Sequence, residues 1–173
     1  MNIILIGMPT SGKSTVGVVL AKILGMDFLD TDLLIQRKTA KRLNEVIDAQ
    51  GTEAFLKIEE SVCTALAVDN TVIATGGSVV FSAAAMEHLK ENGRTVYLKI
   101  SLDELKKRLQ DAKARGVILR DGESIEELYA EREALYDRYA DAVVSEEGLS
   151  LEETVLAVRE RLFFAKGHSG TAQ

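Results

Sequence analysis

Apolar positions along this 173-residue chain fall into two rhythms. Three short β-branched runs, IILI (3–6), TVIA (71–74) and TVYLKI (95–100), are apolar at successive positions, as strands buried on both faces require. FLD (28–30) and AVVS (142–145) carry a weaker form of the same signal. Between these runs, apolar residues return every three or four positions. That spacing predicts helices over 13–24, 32–38, 43–49, 52–67, 82–91, 102–111, 124–139 and 151–163. Strands alternating with helices predict an α/β fold, a three-layer α/β/α sandwich around a parallel five-stranded sheet with right-handed crossovers.

The rhythm lapses at 112–123, AKARGVILRDGE, where Gly116 and Gly122 flank charged residues; this reads as a mobile lid-like loop. Residues 1–165 read as one domain and 166–173 as a disordered tail. No internal repeat and no low-complexity block interrupts the domain.

Composition narrows the function classes. A net charge of −6 speaks against a nucleic-acid binder, which normally carries a basic surplus. The cluster Arg37, Lys38, Lys41 and Arg42 reads as a solvated helix face. No apolar run approaches the ~20 residues that cross a bilayer, and MNIILIG lacks the basic leader of a signal peptide. The single cysteine, Cys63, excludes an internal disulfide, fits a reducing cytosol and lies in a helical pattern as a small core residue. These features predict a cytoplasmic monomer acting on a small molecule, without nucleic-acid or membrane partners. His88, on an exposed helix, and His168, in the tail, are poor catalytic candidates.

Directly after the first strand stands GMPTSGKST (7–15). Gly7, Gly12, Lys13 and Ser14 satisfy G-x-x-x-x-G-K-[ST] in the context that pattern needs, strand before and helix after. Glycines let backbone N–H groups curl around phosphates, and the helix N-terminus adds positive partial charge. Thr10, Ser11 and Thr15 belong to the same cradle. Lys13 reaches the β- and γ-phosphates, and the Ser14 hydroxyl can ligate Mg²⁺. A chance match in a chain this long is rarer than ~1 in 100 on average residue usage, so ATP and Mg²⁺ are the expected ligands.

The cradle changes the reading of FLDTD (28–32). In P-loop folds the strand after the first helix lies next to the cradle, with its C-terminal end facing the ligand crevice. Asp30 and Asp32 then project toward the metal and the transferred phosphate. Mg²⁺ favours carboxylate and water oxygens, which offsets repulsion between the pair. One acid can hold the metal; the other can orient an incoming hydroxyl and accept its proton.

With these motifs in view, the sequence from residue 2 to about 163 resembles the shikimate kinase family, P-loop enzymes that move a phosphoryl group from ATP to a hydroxyl of a carboxylated cyclohexene. The matching features are GMPTSGKST, the acids of DTD, GTEAFLKIEE (51–60), ATGGS (74–78), the loop around Arg115 and EREALY (131–136). The resemblance implies that Asp30 is the Mg²⁺-side acid and Asp32 the residue that binds and activates the acceptor hydroxyl. Gly76 and Gly77 would form the backbone floor under the acceptor, and Arg132 would pair with its carboxylate. Arg115 would close over the γ-phosphate, with Arg120 its rival, and Arg108 would stack on the adenine. From the residues alone, Arg115 reads equally as a solvated loop arginine, and for Arg132, in AEREALYDRY, an intrahelical salt bridge is a serious alternative.

Departures from the family pattern gather on the acceptor side. The family has an arginine after the phenylalanine of GTEAF, gripping the acceptor carboxylate; here that position is Leu56. Lys57 follows, but one step along a helix rotates the side chain by about 100°, and lysine lacks a planar fork. Glu59, the partner expected for that arginine, is present. Ile47 replaces an aromatic, Ser78 a third glycine and Gly116 a proline. Two readings follow: a divergent shikimate kinase that leans on Arg132 and Lys57, or a related kinase of another small hydroxylated acceptor, gluconate-type or other. The retention of Asp32, Gly76, Gly77 and Arg132 favours the first. A non-catalytic ATP-binding relic would have no reason to keep both Lys13 and Asp32.

Overall fold

A computed structural model describes residues 1–110 and 123–163. Arg115, Arg120, nearly all of the expected lid and the expected tail lie outside the described residues.

The five strands are β1 (Asn2–Ile6), β2 (Asp27–Asp30), β3 (Thr71–Ala74), β4 (Gly93–Lys99) and β5 (Ala142–Ser145), all parallel in the order β2-β3-β1-β4-β5. The helices are α1 (Lys13–Leu24), α2 (Thr31–Thr39), α3 (Leu43–Gln50), α4 (Thr52–Thr64), α5 (Ala83–Asn92), α6 (Leu102–Gln110), α7 (Ile125–Tyr139) and α8 (Leu151–Phe163), with a 3₁₀ turn at Val79–Phe81.

Successive strand residues point to opposite faces, and β1 divides its apolar side chains accordingly. Ile4 and Ile6 enter a core with Met86, Leu89 and Leu105, while Ile3 and Leu5 enter another with Val16, Leu20 and Val158. The sheet is thus covered on both faces. A third, smaller core of Ile35, Val46, Phe55 and Val62 joins α2, α3 and α4. This satellite holds these three helices to one another. Cys63 is fully buried in the first core, and burial pushes its thiol above the ordinary range.

β2 is the sheet edge, separated from β1 by β3, because β3 supplies the continuous apolar run that a central position demands. Asp27 is exposed and the rest of β2 only partly buried, which explains its weak sequence signal. The end of β2 still reaches the cradle, through contacts given below. His88 has a structural job: its Nε2 is 2.8 Å from the Leu66 carbonyl.

Candidate active site

The loop between β1 and α1 has the geometry of an anion nest. Gly7 has φ 151° and a Cβ there would meet the Leu98 carbonyl; Gly12 has φ 77°. Thr10 is also in positive φ, at 69°, a strained state for a threonine. Gly12 caps α1 without a side-chain bond, so the first N–H groups of that helix stay available to an anion. The Lys13 ammonium donates to the carbonyls of Gly7 (2.9 Å) and Met8 (2.7 Å) and approaches Ser11 Oγ at 3.4 Å. Burial lowers its pKa to about 8, while Asp32, Glu146 and Asp30 pull it back up. A buried charge held by two carbonyls and a hydroxyl is poised for an incoming phosphate.

The two aspartates divide their labour. Asp30 caps α2: its Oδ1 accepts from the backbone N–H of Asp32 (2.9 Å) and Leu33 (3.3 Å). Its Oδ2 accepts from the Ser14 hydroxyl at 2.6 Å. That contact brings the sheet-edge strand to the cradle and sets two hard oxygen donors side by side. Mg²⁺ takes few protein ligands and completes its shell with water and phosphate oxygens, so this pair fits the ion. No group of three or more metal-ligating side chains occurs among the described residues.

Asp32, on the first turn of α2, faces the turn after β3 instead. A Cβ on Gly76 would lie 2.9 Å from Asp32 Oδ1 and would also run into Glu59 Oε1. Burial raises the Asp32 pKa to about 6, Asp30 adds to the rise and Lys13 opposes it. Thr31, fully buried, accepts a hydrogen bond from Gly76 N–H at 3.2 Å and ties the turn to α2. Gly77 is pressed against Pro9 of the cradle, and its carbonyl accepts from Tyr136 OH (2.6 Å) and Arg132 (3.3 Å). Arg132 is 2% exposed and stacks over the Phe81 ring at 5.2 Å. It faces the turn from α7.

A cavity of about 280 Å³ gathers these groups: Lys13, Ser14, Asp32, Gly76, Gly77 and Arg132 all line it. Lys57 does not join them. It is exposed on α4 and lines a separate, smaller cavity with Leu56, as the 100° turn per residue requires. Arg108 lies on the cradle's other side, bonded to the Thr10 carbonyl (2.9 Å), Glu104 (2.7 Å) and Glu146 (3.2 Å). With Glu146 and Leu149 it lines a further cavity of about 210 Å³.

Three residues of this site, Thr31, Ser78 and Tyr136, were not assigned a site role from sequence, and Glu59 was expected only as the partner of an arginine that this chain lacks. Glu59 left a legible signal, a carboxylate four residues after Phe55 on the buried stripe of α4. Burial raises its pKa to about 7 and Asp32 adds to the rise, against the pull of the Ser78 hydrogen bond, Arg132 and Lys13. Thr31 and Tyr136 left none, because their partners are backbone atoms remote in sequence.

The family model for shikimate kinase matches residues 9–163. A shikimate kinase of Clostridium botulinum is 38% identical over 161 residues, covering 91% of this chain and 93% of that one. The crystal structure of shikimate kinase from Aquifex aeolicus superposes with a TM-score of 0.82 at 33% identity, covering 94% of this chain and 96% of the other. A shikimate kinase from Acinetobacter baumannii, solved in complex with shikimate, gives 0.81 at 28% identity over 93% and 92% of the two chains.

Proposed function

The chain belongs to the shikimate kinase family, and on that premise we propose that it moves the γ-phosphoryl group of ATP to a ring hydroxyl of shikimate, forming shikimate 3-phosphate for aromatic amino-acid biosynthesis. The observation that carries this reading is the single cavity in which Lys13, Asp32, the Gly76–Gly77 turn and Arg132 converge. Cation, base, floor and carboxylate grip are what such a transfer needs, because phosphoryl transfer rests on positioning and positive charge rather than covalent chemistry.

The geometry supports the following roles. The nest and Lys13 hold the triphosphate. Ser14 and Asp30 would hold Mg²⁺, which neutralises charge on the phosphate oxygens when bound. Asp32 accepts a hydrogen bond from the reacting hydroxyl and orients it; with a pKa near 6 it is mostly ionised at neutral pH and can take the proton. Arg132, buried beside Gly77, pairs with the acceptor carboxylate and sets which hydroxyl meets Asp32. Arg115 is proposed to add positive charge at the γ-phosphate, and Arg108 to border the adenine. The buried thiol of Cys63 fits a reducing, cytoplasmic setting.

A coupled ADP-release assay over shikimate, gluconate, other hydroxy acids, sugars and nucleosides tests the reading. Shikimate should turn over well above the rest and yield a phosphorylated product by mass. Equal or better turnover of another compound would replace shikimate as the acceptor while leaving the kinase reading in place.

A further inference from the structure

Two cavities share a wall. The larger holds Asp32, Lys13 and Arg132; the smaller, about 240 Å³, is lined by Glu53, Leu56, Lys57 and Phe81 among others. Glu59 and Ser78 line both. They are 2% and 4% exposed, and the Ser78 hydroxyl donates to Glu59 Oε2 at 2.7 Å. Glu59 Oε1 has no hydrogen-bond partner among the described residues and lies where a side chain on Gly76 would begin, beside Asp32 Oδ1. A buried carboxylate with one oxygen unsatisfied is costly and would turn away from that position unless something fixed it. Of the other α4 residues that line the smaller cavity, Leu56 carries no donor, Glu53 and Glu60 are acids, and Lys57 is exposed. The fixing group comes from the turn after β3.

We propose that Ser78 is a positioning residue for the phosphoryl acceptor: its hydroxyl locks the Glu59 carboxylate under Gly76, between Asp32 and Arg132, and so keeps the acceptor floor in register. This rests on the reading that the larger cavity holds the acceptor. It gives Ser78 and Leu56 one shared meaning. The carboxylate needs one donor; here a hydroxyl from the turn supplies it, and an apolar side chain fills the helix position from which a longer donor could have come. The charged and titratable groups acting with Glu59 are Asp32 from α2, Lys13 from the cradle, Arg132 and Tyr136 from α7, and Cys63 on its own helix.

The test is a double-mutant cycle on the full chain with Ser78→Ala and Leu56→Arg, read by steady-state kinetics with shikimate and ATP varied separately. Ser78→Ala should raise the acceptor KM roughly tenfold or more, the effect of losing a buried charged hydrogen bond, with the ATP KM within about twofold. Ser78→Thr, which keeps the hydroxyl, should recover most of the loss. Leu56→Arg should lower the acceptor KM far more in the Ser78→Ala background than in the native one, because the guanidinium then has a vacant partner. An unchanged acceptor KM in Ser78→Ala overturns the proposal. So does additivity of the two changes, or a parallel rise of both KM values, which marks a merely structural hydroxyl. If the native chain fails to turn over shikimate, the acceptor assignment has failed, and the proposal is read from unfolding alone. The stability deficit of Ser78→Ala should then widen from pH 5 to pH 8, as Glu59 ionises without its donor; a deficit that is the same at both overturns it.

Discussion

Asp32→Asn separates catalysis from stability in opposite directions. Burial holds the Asp32 carboxyl at about 6 against an ordinary 3.8, with the opposing pull of Lys13 already included. At 1.36 kcal/mol per tenfold in a proton equilibrium, ionising this group in the folded chain costs about 3 kcal/mol. An acid whose folded value lies above its unfolded one destabilises only once charged. The cost is therefore absent below about pH 4, grows between about 4 and 6, and is complete at neutral pH. Asparagine keeps the shape and removes the charge. Even if half the gain is lost to burying the amide, about 1.5 kcal/mol remains, or roughly 3–6 °C in Tm for a chain of this size. Thermal melts followed by circular dichroism, with EDTA and without nucleotide, should show the variant melting higher at pH 7.5 and converging with the native chain at pH 4.5. ADP release with shikimate should be abolished while ATP binding stays near native. A variant that melts lower at pH 7.5, or the same offset at both pH values, would refute the electrostatic argument; native turnover would remove Asp32 from the mechanism.

Three further changes probe the rest of the site. In Gly76→Ala the new methyl falls against the Glu59 and Asp32 carboxylates; overpacking of about 1–3 kcal/mol should raise the acceptor KM roughly 5- to 100-fold with the ATP KM nearly unchanged, as initial rates will show. Arg132→Met keeps bulk but removes the guanidinium beside Gly77, and the acceptor KM should rise roughly 10- to 100-fold, the worth of a charged hydrogen bond. Ser14→Ala removes the hydroxyl that meets Asp30 at 2.6 Å; the Mg²⁺ concentration for half-maximal rate should rise about tenfold on losing a ligand, measured by metal titration at fixed ATP, and an unchanged titration would take Ser14 out of the metal site.

Most of the architecture could be read before any coordinates. Among the described residues, five strands and eight helices stand where continuous apolar runs and period 3.6 placed them, because burial on one face or on both is written directly into local spacing. The cradle was equally plain, since a phosphate nest is built from consecutive backbone groups. Edge position blurred β2: an exposed Asp27 and partly buried neighbours leave no run of apolar residues to find.

The acceptor side was harder for a physical reason. Its groups come from α2, α4, α7 and the turn after β3, and what makes them a site is contact between residues far apart in the chain. Linear order supplied the candidates: Lys13 in a loop that binds phosphate, acids at positions 30 and 32, an arginine at 132. Folding set their contacts. It turned Asp30 to Ser14 and Asp32 to Gly76, put Lys57 outside the cavity, buried Arg132 beside Gly77, and joined Ser78 to Glu59 across 19 residues. Local spacing encodes which face of an element is buried; it does not encode which buried polar groups meet, because that depends on how separate elements are packed together.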